Sequence, residues 1–272
     1  MHPKLFELGP VALHTYGLFL AVAFVAGIWI TSRNARRSGV SADAVWNLGL
    51  VVLCATLVGA KLLMVIADFS FYAANPREIF SLSTLRSGGV FYGGLLLALG
   101  VAAWYMRKRR IPAWLTADCA APGIAIGQAI GRIGCLMAGC CYGAHTDVPW
   151  AIRFTSDYAA ENMGTPLNIP VHPTQIYEST GTLLLFGFLM WRLSQRHVNG
   201  QIILEYLGIY AVLRFVIEFF RADNRGDVFN GILSTSQFIA VISFAAAVFF
   251  HIYLRRRGGN LSNEKTSGGH TA

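Results

Sequence analysis

A glycine-rich segment near the middle of the chain places an arginine at the end of an apolar stretch. Residues 131–143 read GRIGCLMAGCCYG, and Gly123 and Gly127 continue a four-residue glycine spacing upstream of Gly131. Small residues at this spacing share one helix face and let a neighbouring helix approach closely. The guanidinium of Arg132 is costly at membrane depth unless it is paired or used, and its planar fork suits a phosphate group. Alternatively, Arg132 only reaches the lipid headgroups and the glycines serve only packing.

A second set of polar side chains lies in or beside other apolar stretches. Tyr210, Arg214 and Glu218 are four residues apart, so they line one face of a helix. The others are His14, Tyr16, Lys61, Tyr92, His172, Gln175 and Glu178. With Arg132, these positions hold three cations against two carboxylates, which indicates a positive pocket for a lipid phosphate. The alternative is a set of separate ion pairs, namely Arg214 with Glu218, and Lys61 or Arg132 with Glu178.

The composition indicates that long apolar helices position these residues. Charged residues make up 13% of the 272 residues, whereas soluble domains carry about 25%. The stretches 8–32, 87–106 and 228–254 lack charged residues, and each is long enough to cross a bilayer core of about 30 Å. The sequence therefore predicts an all-α polytopic membrane protein, with a single domain over 1–257 and a disordered cytoplasmic tail over 258–272. The seven predicted transmembrane helices cover 10–32, 46–67, 88–106, 117–137, 172–191, 202–220 and 232–254.

The charges of the loops predict the orientation in the membrane. Loops on one side of the seven spans carry thirteen lysines and arginines, and those on the other side carry six. The positive-inside rule therefore places the N-terminus outside and the C-terminus in the cytoplasm, with the polar residues in the outer half of the membrane. Basic runs such as 107–110 are then topology signals rather than nucleic-acid sites. The long external loop 138–171 is predicted to form a small cap, with a short hairpin or helix, over the outer mouth.

The five cysteines follow no recognised metal pattern. They match no zinc-binding spacing and include no CxxC motif, so the sequence predicts no metal site. Cys54 and Cys119 are expected to be small packing residues. Cys135, Cys140 and Cys141 fall on the predicted external, oxidising side and leave thiol-redox chemistry open as an alternative function. A non-catalytic protein that binds or moves lipids is the other alternative, and a solute channel is disfavoured because no acidic ring or filter motif is present.

Four pieces of the sequence resemble one known family. They are GPVALHTYGL at 9–18, GRIG at 131–134 followed by Gly139 and Gly143, HPTQIYE at 172–178, and the segment 210–221. In this order on a seven-span chain, they resemble the prolipoprotein diacylglyceryl transferases over residues 9–254. The resemblance implies transfer of a diacylglyceryl group from phosphatidylglycerol to the lipobox cysteine of a secreted prolipoprotein. A thioether forms and glycerol phosphate leaves, at the outer face of the bacterial cytoplasmic (inner) membrane.

The resemblance also implies roles for individual residues. The residues that match the family's motifs are Tyr16, Gly93, Arg132, Gly143, Tyr210, Arg214 and Glu218. The predicted catalytic residues are Tyr210, Arg214, Tyr92 and Glu218. The predicted substrate-binding residues are Arg132, Tyr16, His14, Gly93, Gly143, His172, Gln175 and Glu178. The expected partners are phosphatidylglycerol, prolipoprotein signal peptides with a lipobox and membrane lipids, with no nucleic acid, no metal and no soluble cofactor.

The chain departs from the family's pattern at three positions. Tyr92 precedes Gly93 where the family has a histidine, and Cys135 and Cys140 replace an asparagine and a carboxylate. These changes fit a divergent branch, or a paralogue that uses another lipid donor. A neutral phenol is a poor proton acceptor at neutral pH, so two routes for activation of the acceptor thiol stay open. Nearby arginines could lower the pKa of that thiol, or Tyr92 or Tyr210 could relay its proton.

Overall fold

Among the described residues, seven long helices correspond to the seven predicted transmembrane helices. The structure is a computed structural model that describes residues 3–8, 11–81, 84, 89–195, 197–222, 226–228 and 232–267, and of 257–267 only the backbone. Within these residues, the long helices are α1 (Thr15–Arg37), α2 (Ala42–Ala67), α4 (Phe91–Lys108), α5 (Ala113–Ala138), α7 (Thr174–Leu193), α8 (Gln201–Glu218) and α9 (Thr235–Ser267). The shorter helices are α3 (Phe69–Ala74), a 3-10 helix (Pro76–Phe80) and α6 (Asp157–Met163).

Length and hydropathy make four of the long helices able to cross a membrane. These four are Thr15–Arg37, Ala42–Ala67, Ala113–Ala138 and Thr235–Arg256. A chain with several such helices is a polytopic membrane protein. The count of seven spans and the orientation of the termini stay predictions. The predicted loop cations Arg86, Arg196 and Arg225 lie outside the described residues, as do Gly9, Pro10 and residues 268–272.

The start of the first predicted span is wrong by several residues. Val11–His14 forms strand β2, which pairs antiparallel with β1 (Lys4–Leu8), and α1 begins only at Thr15. A continuous apolar run does not by its periodicity separate a strand from a helix. Here the pairing of the two strands satisfies their backbone groups, so the segment before Thr15 does not need helical hydrogen bonds.

The chain folds into two compact units. The first unit comprises Met1–Asn34 and Ala117–Ala272, and the second comprises Ala35–Thr116. Helices α2, α3 and α4 belong to the second unit, whereas most of α1 and α5 and all later elements belong to the first. The single domain expected over 1–257 therefore stays a prediction.

Glycines bring the two long helices of the second unit into backbone contact. A Cβ added at Gly93 of α4 would collide with the carbonyl oxygen of Gly59 and with the Cβ of Leu63, both on α2. Gly59 has the reciprocal contact with the carbonyl oxygen of Gly93. On the same helix α2, Lys61 donates from Nζ to the carbonyl oxygen of Thr84 at 2.6 Å. Gly93, a predicted substrate-binding residue, therefore has a packing role in the structure.

We expect Gly93→Ala to destabilise the second unit, because the new methyl group has no room between α2 and α4. Overpacking of this kind costs about 1–3 kcal/mol. Gly100→Ala on the same helix is the matched control, since a Cβ added there meets no heavy atom within 4 Å. Thermal unfolding of the purified variants in detergent measures the difference. Equal unfolding temperatures for the two variants would contradict this packing role.

Small residues also bring α1 and α5 together in the first unit, as the glycine spacing predicts. A Cβ added at Gly123 would collide with the carbonyl oxygen of Gly27, and one added at Gly127 would lie 3.2 Å from that of Ala23. At Gly131 an added Cβ would meet open space instead. The close approach of a neighbouring helix is therefore confirmed at two of the three glycines.

The buried core of the first unit joins α5, α7 and α8. It consists of Ala121, Ala125, Leu185, Leu189, Ile202 and Tyr206. Three residues before Ala121, the buried Asp118 of α5 accepts hydrogen bonds from the backbone N–H groups of Gly200 at 2.6 Å and Ile203 at 2.9 Å. A carboxylate at this position also complements the partial positive charge of a helix N-terminus. Asp118 therefore caps α8 and joins the two helices near the ends where both begin.

The segment 138–171 has small elements of its own. Strand β3 (Ile152–Arg153) pairs antiparallel with β4 (Pro170–Val171), and α6 lies between them in the chain. A third strand pair joins β5 (Asp227–Val228) to β6 (Leu233–Ser234). The external position of the cap stays a prediction. Helix α9 is described to Ser267, past the predicted end of the last span at 254. The disordered tail expected over 258–272 stays a prediction.

Candidate functional site

Three of the predicted site residues meet on one carboxylate oxygen. Glu178 Oε1, on α7, lies 2.9 Å from Arg132 Nη2 and accepts a hydrogen bond from the Tyr210 hydroxyl at 2.9 Å. The Glu178 side chain is 1% exposed, whereas that of Arg132 is 22% exposed. A buried carboxylate is tolerated here because it is both paired and hydrogen-bonded. We call Arg132, Glu178 and Tyr210 the Glu178 cluster, to which α5, α7 and α8 contribute one residue each.

A second ion pair lies one helical turn beyond Tyr210 on α8. Arg214 Nη2 lies 2.7 Å from Glu218 Oε2, and Glu218 Oε1 accepts from the Ser234 hydroxyl at 2.9 Å. Arg214 Nη2 also donates to Ser236 Oγ at 3.4 Å. Among the described residues, the buried Nη1 of Arg214 has no hydrogen-bond partner. An unsatisfied guanidinium N–H is a donor that an anionic ligand can use.

The predicted excess of positive charge includes Lys61 as well as the two arginines, and it stays a prediction. Each guanidinium faces one carboxylate, so these four residues carry no excess of positive charge. Lys61, the third predicted cation, belongs to the second unit, where it bonds to the carbonyl oxygen of Thr84. The separate ion pairs considered as the alternative are therefore the arrangement found. The arginines can still bind a phosphate, because one carboxylate uses only part of the five donors of a guanidinium.

Hydrogen bonds to α7 fix the loop that follows α5. The N–H of Gly143 donates to the carbonyl oxygen of His172 at 2.9 Å, and a Cβ added at Gly143 would collide with the carbonyl oxygen of Phe220. Gln175 Nε2 donates to the carbonyl oxygen of Cys140 at 2.8 Å. The Oε1 of Gln175 is buried without a hydrogen-bond partner in the part of the chain that the structure describes. Gly143 and Gln175, both predicted to bind substrate, thus hold this loop against the start of α7.

The two predicted histidines bond to tyrosines. His172 Nδ1 lies 3.1 Å from the hydroxyl of Tyr177, which also accepts from Trp150 Nε1 at 2.7 Å. His14 Nε2 lies 3.0 Å from the hydroxyl of Tyr158 on α6. The His14 contact therefore joins β2 to α6. The contacts of Tyr177 with His172 and Trp150 join the start of α7 to the segment 138–171.

The remaining predicted residues lie in different units. Tyr16 of α1 packs beside Gly134 of α5, two residues from Arg132. Tyr92 and Gly93 belong to the second unit, where the half-exposed ring of Tyr92 packs edge-on against Phe91 with centroids 5.6 Å apart. The catalytic role of Tyr92 and the substrate-binding role of Gly93 stay predictions.

Three thiols converge at the end of α5. The sulfur atoms of Cys135, Cys140 and Cys141 lie within 4.8 Å of one another, although their spacing in the sequence matches no metal motif. The neighbouring Cys135 and Cys140 thiols and the adjacent Arg221 hold the pKa of the Cys141 thiol below its ordinary value. Cys119 is buried, as expected for a packing residue, whereas Cys54 is exposed on α2.

Sequence reasoning missed four polar residues that support the site. The Tyr206 hydroxyl donates to Gln128 Oε1 at 2.9 Å, and the Tyr206 ring stacks on that of Tyr210 with centroids 5.9 Å apart. Tyr206 lies four residues before Tyr210, so the spacing that predicted the polar face of α8 could have found it. Ser234 and Ser236 carry no comparable signal, because their contacts depend on how the start of α9 meets α8.

A large apolar groove of the first unit lies apart from these residues. It has a volume of about 580 Å³, lies between α8 and α9, and is lined mostly by aliphatic and aromatic residues such as Ile209, Val212 and Phe244. None of the predicted site residues lines it. The candidate site is therefore recognised by its paired charges and hydrogen bonds, and not by cavity volume.

Comparison with known proteins agrees with the motifs of the site. A model of the family described as prolipoprotein diacylglyceryl transferase matches residues 3–253. A phosphatidylglycerol–prolipoprotein diacylglyceryl transferase from Clostridium tetani is 35% identical over 249 residues, which cover 92% of this chain and 96% of that protein. Proteins of the same name from Clostridium perfringens (numbered 2) and Vibrio cholerae are each 31% identical, over 95% and 94% of this chain and 98% and 92% of their own lengths. The chain therefore belongs to the prolipoprotein diacylglyceryl transferase family.

Proposed function

We propose that this protein is an enzyme that transfers the diacylglyceryl group of phosphatidylglycerol to the lipobox cysteine of a prolipoprotein. The sulfur forms a thioether and glycerol phosphate is released. Beside family membership, one observation carries the proposal: Arg132 and Tyr210 converge on the buried Glu178. The names of the relatives, which state phosphatidylglycerol and prolipoprotein, support the same pair of substrates.

The chemistry of the leaving group matches the donors of the site. An anionic phosphate ester leaves, so catalysis needs hydrogen-bond donors where negative charge develops on its oxygen. Arg132 is partly exposed and pairs with Glu178 through one Nη nitrogen, so its other N–H groups are available for the phosphate. The single O–H of Tyr210 donates to Glu178 here, and on substrate binding it would turn from this carboxylate to donate to the departing oxygen. Arg214 adds the buried Nη1 donor one turn further along α8.

The proposed location is the bacterial cytoplasmic (inner) membrane, with the active site facing its outer side. Four helices of membrane-spanning length and composition support a multi-pass arrangement. The bias of lysine and arginine between the loops supports seven spans with the N-terminus outside and the C-terminus in the cytoplasm. Phosphatidylglycerol in the outer leaflet and a secreted prolipoprotein would then both reach the site from the same side.

Reconstituted transfer tests the proposal directly. The full-length protein in phosphatidylglycerol vesicles should add one diacylglyceryl group to a lipobox peptide, measured by mass, and should complement a strain depleted of its own transferase. A matching peptide with serine in place of cysteine should stay unmodified. Transfer only from vesicles of another phospholipid would indicate a paralogue with another donor. Binding of labelled phospholipid with no transfer from any donor would indicate a non-catalytic lipid-binding protein.

We expect Tyr210→Phe to lower the transfer rate about a hundredfold, because it removes the hydroxyl proposed to donate to the leaving oxygen. Tyr92→Phe should cost less, and Tyr92→His should be tolerated, since imidazole is a better proton acceptor near neutral pH. Transfer to the lipobox peptide, measured from about pH 6 to 9 to bracket the thiol pKa, compares the three variants. If Tyr92→Phe is as inactive as Tyr210→Phe at every pH, Tyr92 is itself required for proton transfer or positioning.

A further inference from the structure

The loop that ends α5 collects three thiols on one side. Cys135 lies in the last turn of α5, and Cys140 and Cys141 follow Gly139, with all three sulfurs within 4.8 Å of one another. Gly139 has φ +81° and Cys141 has φ +63°, so both are in the left-handed conformation. This conformation is energetically unfavourable for a residue that has a side chain, such as Cys141. In an extended chain, adjacent side chains point to opposite sides. The left-handed backbone of this loop instead brings the sulfurs of Cys140 and Cys141 into one cluster.

Buried side chains of α7 hold the loop in this conformation. Thr174 Oγ1 donates to the carbonyl oxygen of Cys141 at 2.7 Å, and Gln175 Nε2 donates to that of Cys140 at 2.8 Å. The N–H of Cys140 closes the turn onto the carbonyl oxygen of Cys135 at 3.1 Å. Outer hydrogen bonds of this kind orient the ligands of metal sites. The three sulfurs are therefore positioned before any ligand binds.

We propose that Cys135, Cys140 and Cys141 bind one zinc ion as thiolates and leave its fourth coordination position open. Thiolates select thiophilic ions such as zinc, and tetrahedral Zn–S bonds of about 2.3 Å would put the sulfurs roughly 3.8 Å apart. Small side-chain rotations close the sulfurs to this distance from separations within 4.8 Å. Arg132 and Arg221 interact electrostatically with these sulfurs and offset the negative charge of three thiolates.

The open position suits the acceptor thiol, and this role rests on the proposed function. Zinc sites with three protein ligands keep the fourth position for water or substrate. A thiol that coordinates zinc loses its proton, which passes to solvent. The bound sulfur then forms the C–S bond to the diacylglyceryl carbon, while the C–O bond to phosphate breaks and its electron pair leaves with the phosphate oxygen. Arg132, three residues before Cys135, holds the phosphate beside the reacting sulfur, and no oxidant or reductant is needed.

Metal analysis of the full-length chain, purified in detergent without a histidine tag, tests the site. We expect about one zinc ion per chain, with sulfur ligands at about 2.3 Å by X-ray absorption. The double variant Cys140→Ser, Cys141→Ser should lose the zinc, whereas Cys54→Ser, at an exposed cysteine, should keep it. Thr174→Val keeps all three thiols and should weaken zinc affinity about tenfold. Zinc content no higher than in the double variant, or a disulfide among the three cysteines of the purified protein, would overturn the site.

X-ray absorption with a peptide tests the open position. Adding a lipobox peptide should raise the count of sulfur ligands from three to four, and the serine peptide should not. An unchanged sulfur count with the cysteine peptide would overturn the binding of the acceptor thiol. This readout does not depend on transfer activity.

Transfer with and without zinc tests the role of the ion. Removing zinc with a chelator should lower the transfer rate about tenfold, because a free thiol is only a few per cent thiolate at neutral pH, and added zinc should restore it. An unchanged rate after complete zinc removal would overturn the role of the ion while the proposed transfer stands. If the zinc-loaded protein transfers no group from any phospholipid, the proposed function fails and the zinc site stands.

Discussion

Replacing Arg132 by lysine is expected to lower the rate of diacylglyceryl transfer about a hundredfold, while the protein still inserts and accumulates. Lysine keeps the charge and can still pair with Glu178, but it lacks the planar fork with which a guanidinium binds phosphate. Loss of one donor at a developing negative charge costs about 10²–10³ in rate. Arg214→Lys should have a comparable effect, because it removes the buried Nη1 donor. Transfer to a lipobox peptide in phosphatidylglycerol vesicles measures both rates.

Arg192→Lys is the matched control for these two variants. Arg192 also pairs with a glutamate, with its Nε 3.1 Å from Glu205 Oε1, and neither residue is a predicted site residue. The control should therefore keep the wild-type rate. Wild-type turnover by both Arg132→Lys and Arg214→Lys would mean that these arginines only stabilise the fold.

Glu178→Ala is expected to cost about 3–5 kcal/mol of stability, because it leaves the Arg132 guanidinium without its carboxylate and the Tyr210 hydroxyl without its acceptor. The expected results are a lower unfolding temperature in detergent and poor accumulation in the membrane. Glu178→Gln keeps a carbonyl oxygen for the Tyr210 hydroxyl but removes the charge. Its unfolding temperature should therefore lie between those of the alanine variant and the wild type.

Glu161→Ala controls for the loss of a glutamate as such. Glu161 is an exposed residue of α6, so its replacement should leave the unfolding temperature unchanged. If Glu178→Ala unfolds at the same temperature as Glu161→Ala, the Glu178 cluster does not stabilise the first unit. Its role would then be confined to positioning Arg132 and Tyr210.

Helical spacing made part of the site predictable. Tyr210, Arg214 and Glu218 share a face of α8 because they are four residues apart, and the structure pairs Arg214 with Glu218 as one alternative expected. The pairing of Arg132 with Glu178 was also among the alternatives, since a charge at membrane depth needs a partner. The resemblance to the prolipoprotein diacylglyceryl transferases is confirmed by the match over residues 3–253.

Other features depend on contacts that periodicity does not encode. The strand Val11–His14 forms because a second strand is available to pair with it, although the same apolar run could begin a helix. The convergence of three thiols depends on the left-handed conformation of Cys141, a non-glycine residue for which the local sequence gives no signal. The predicted excess of positive charge depends on Lys61, which belongs to the second unit and bonds there to the carbonyl oxygen of Thr84, so this excess stays a prediction.

The cap that Asp118 provides for α8 sets the axial register of two helices. Asp118 and then Gln128 of α5 contact α8 at Gly200 and then Tyr206, so the helices run in the same direction and are joined at two heights. At about 1.5 Å per residue, Arg132 lies about 21 Å along α5 from Asp118. If α5 slid along α8 by one residue, the guanidinium of Arg132 would move by about 1.5 Å. Misplacement by about 1 Å can lower a reaction rate about a hundredfold. A carboxylate at the far end of the helices thus keeps Arg132 and Tyr210, the proposed site residues, at matching heights.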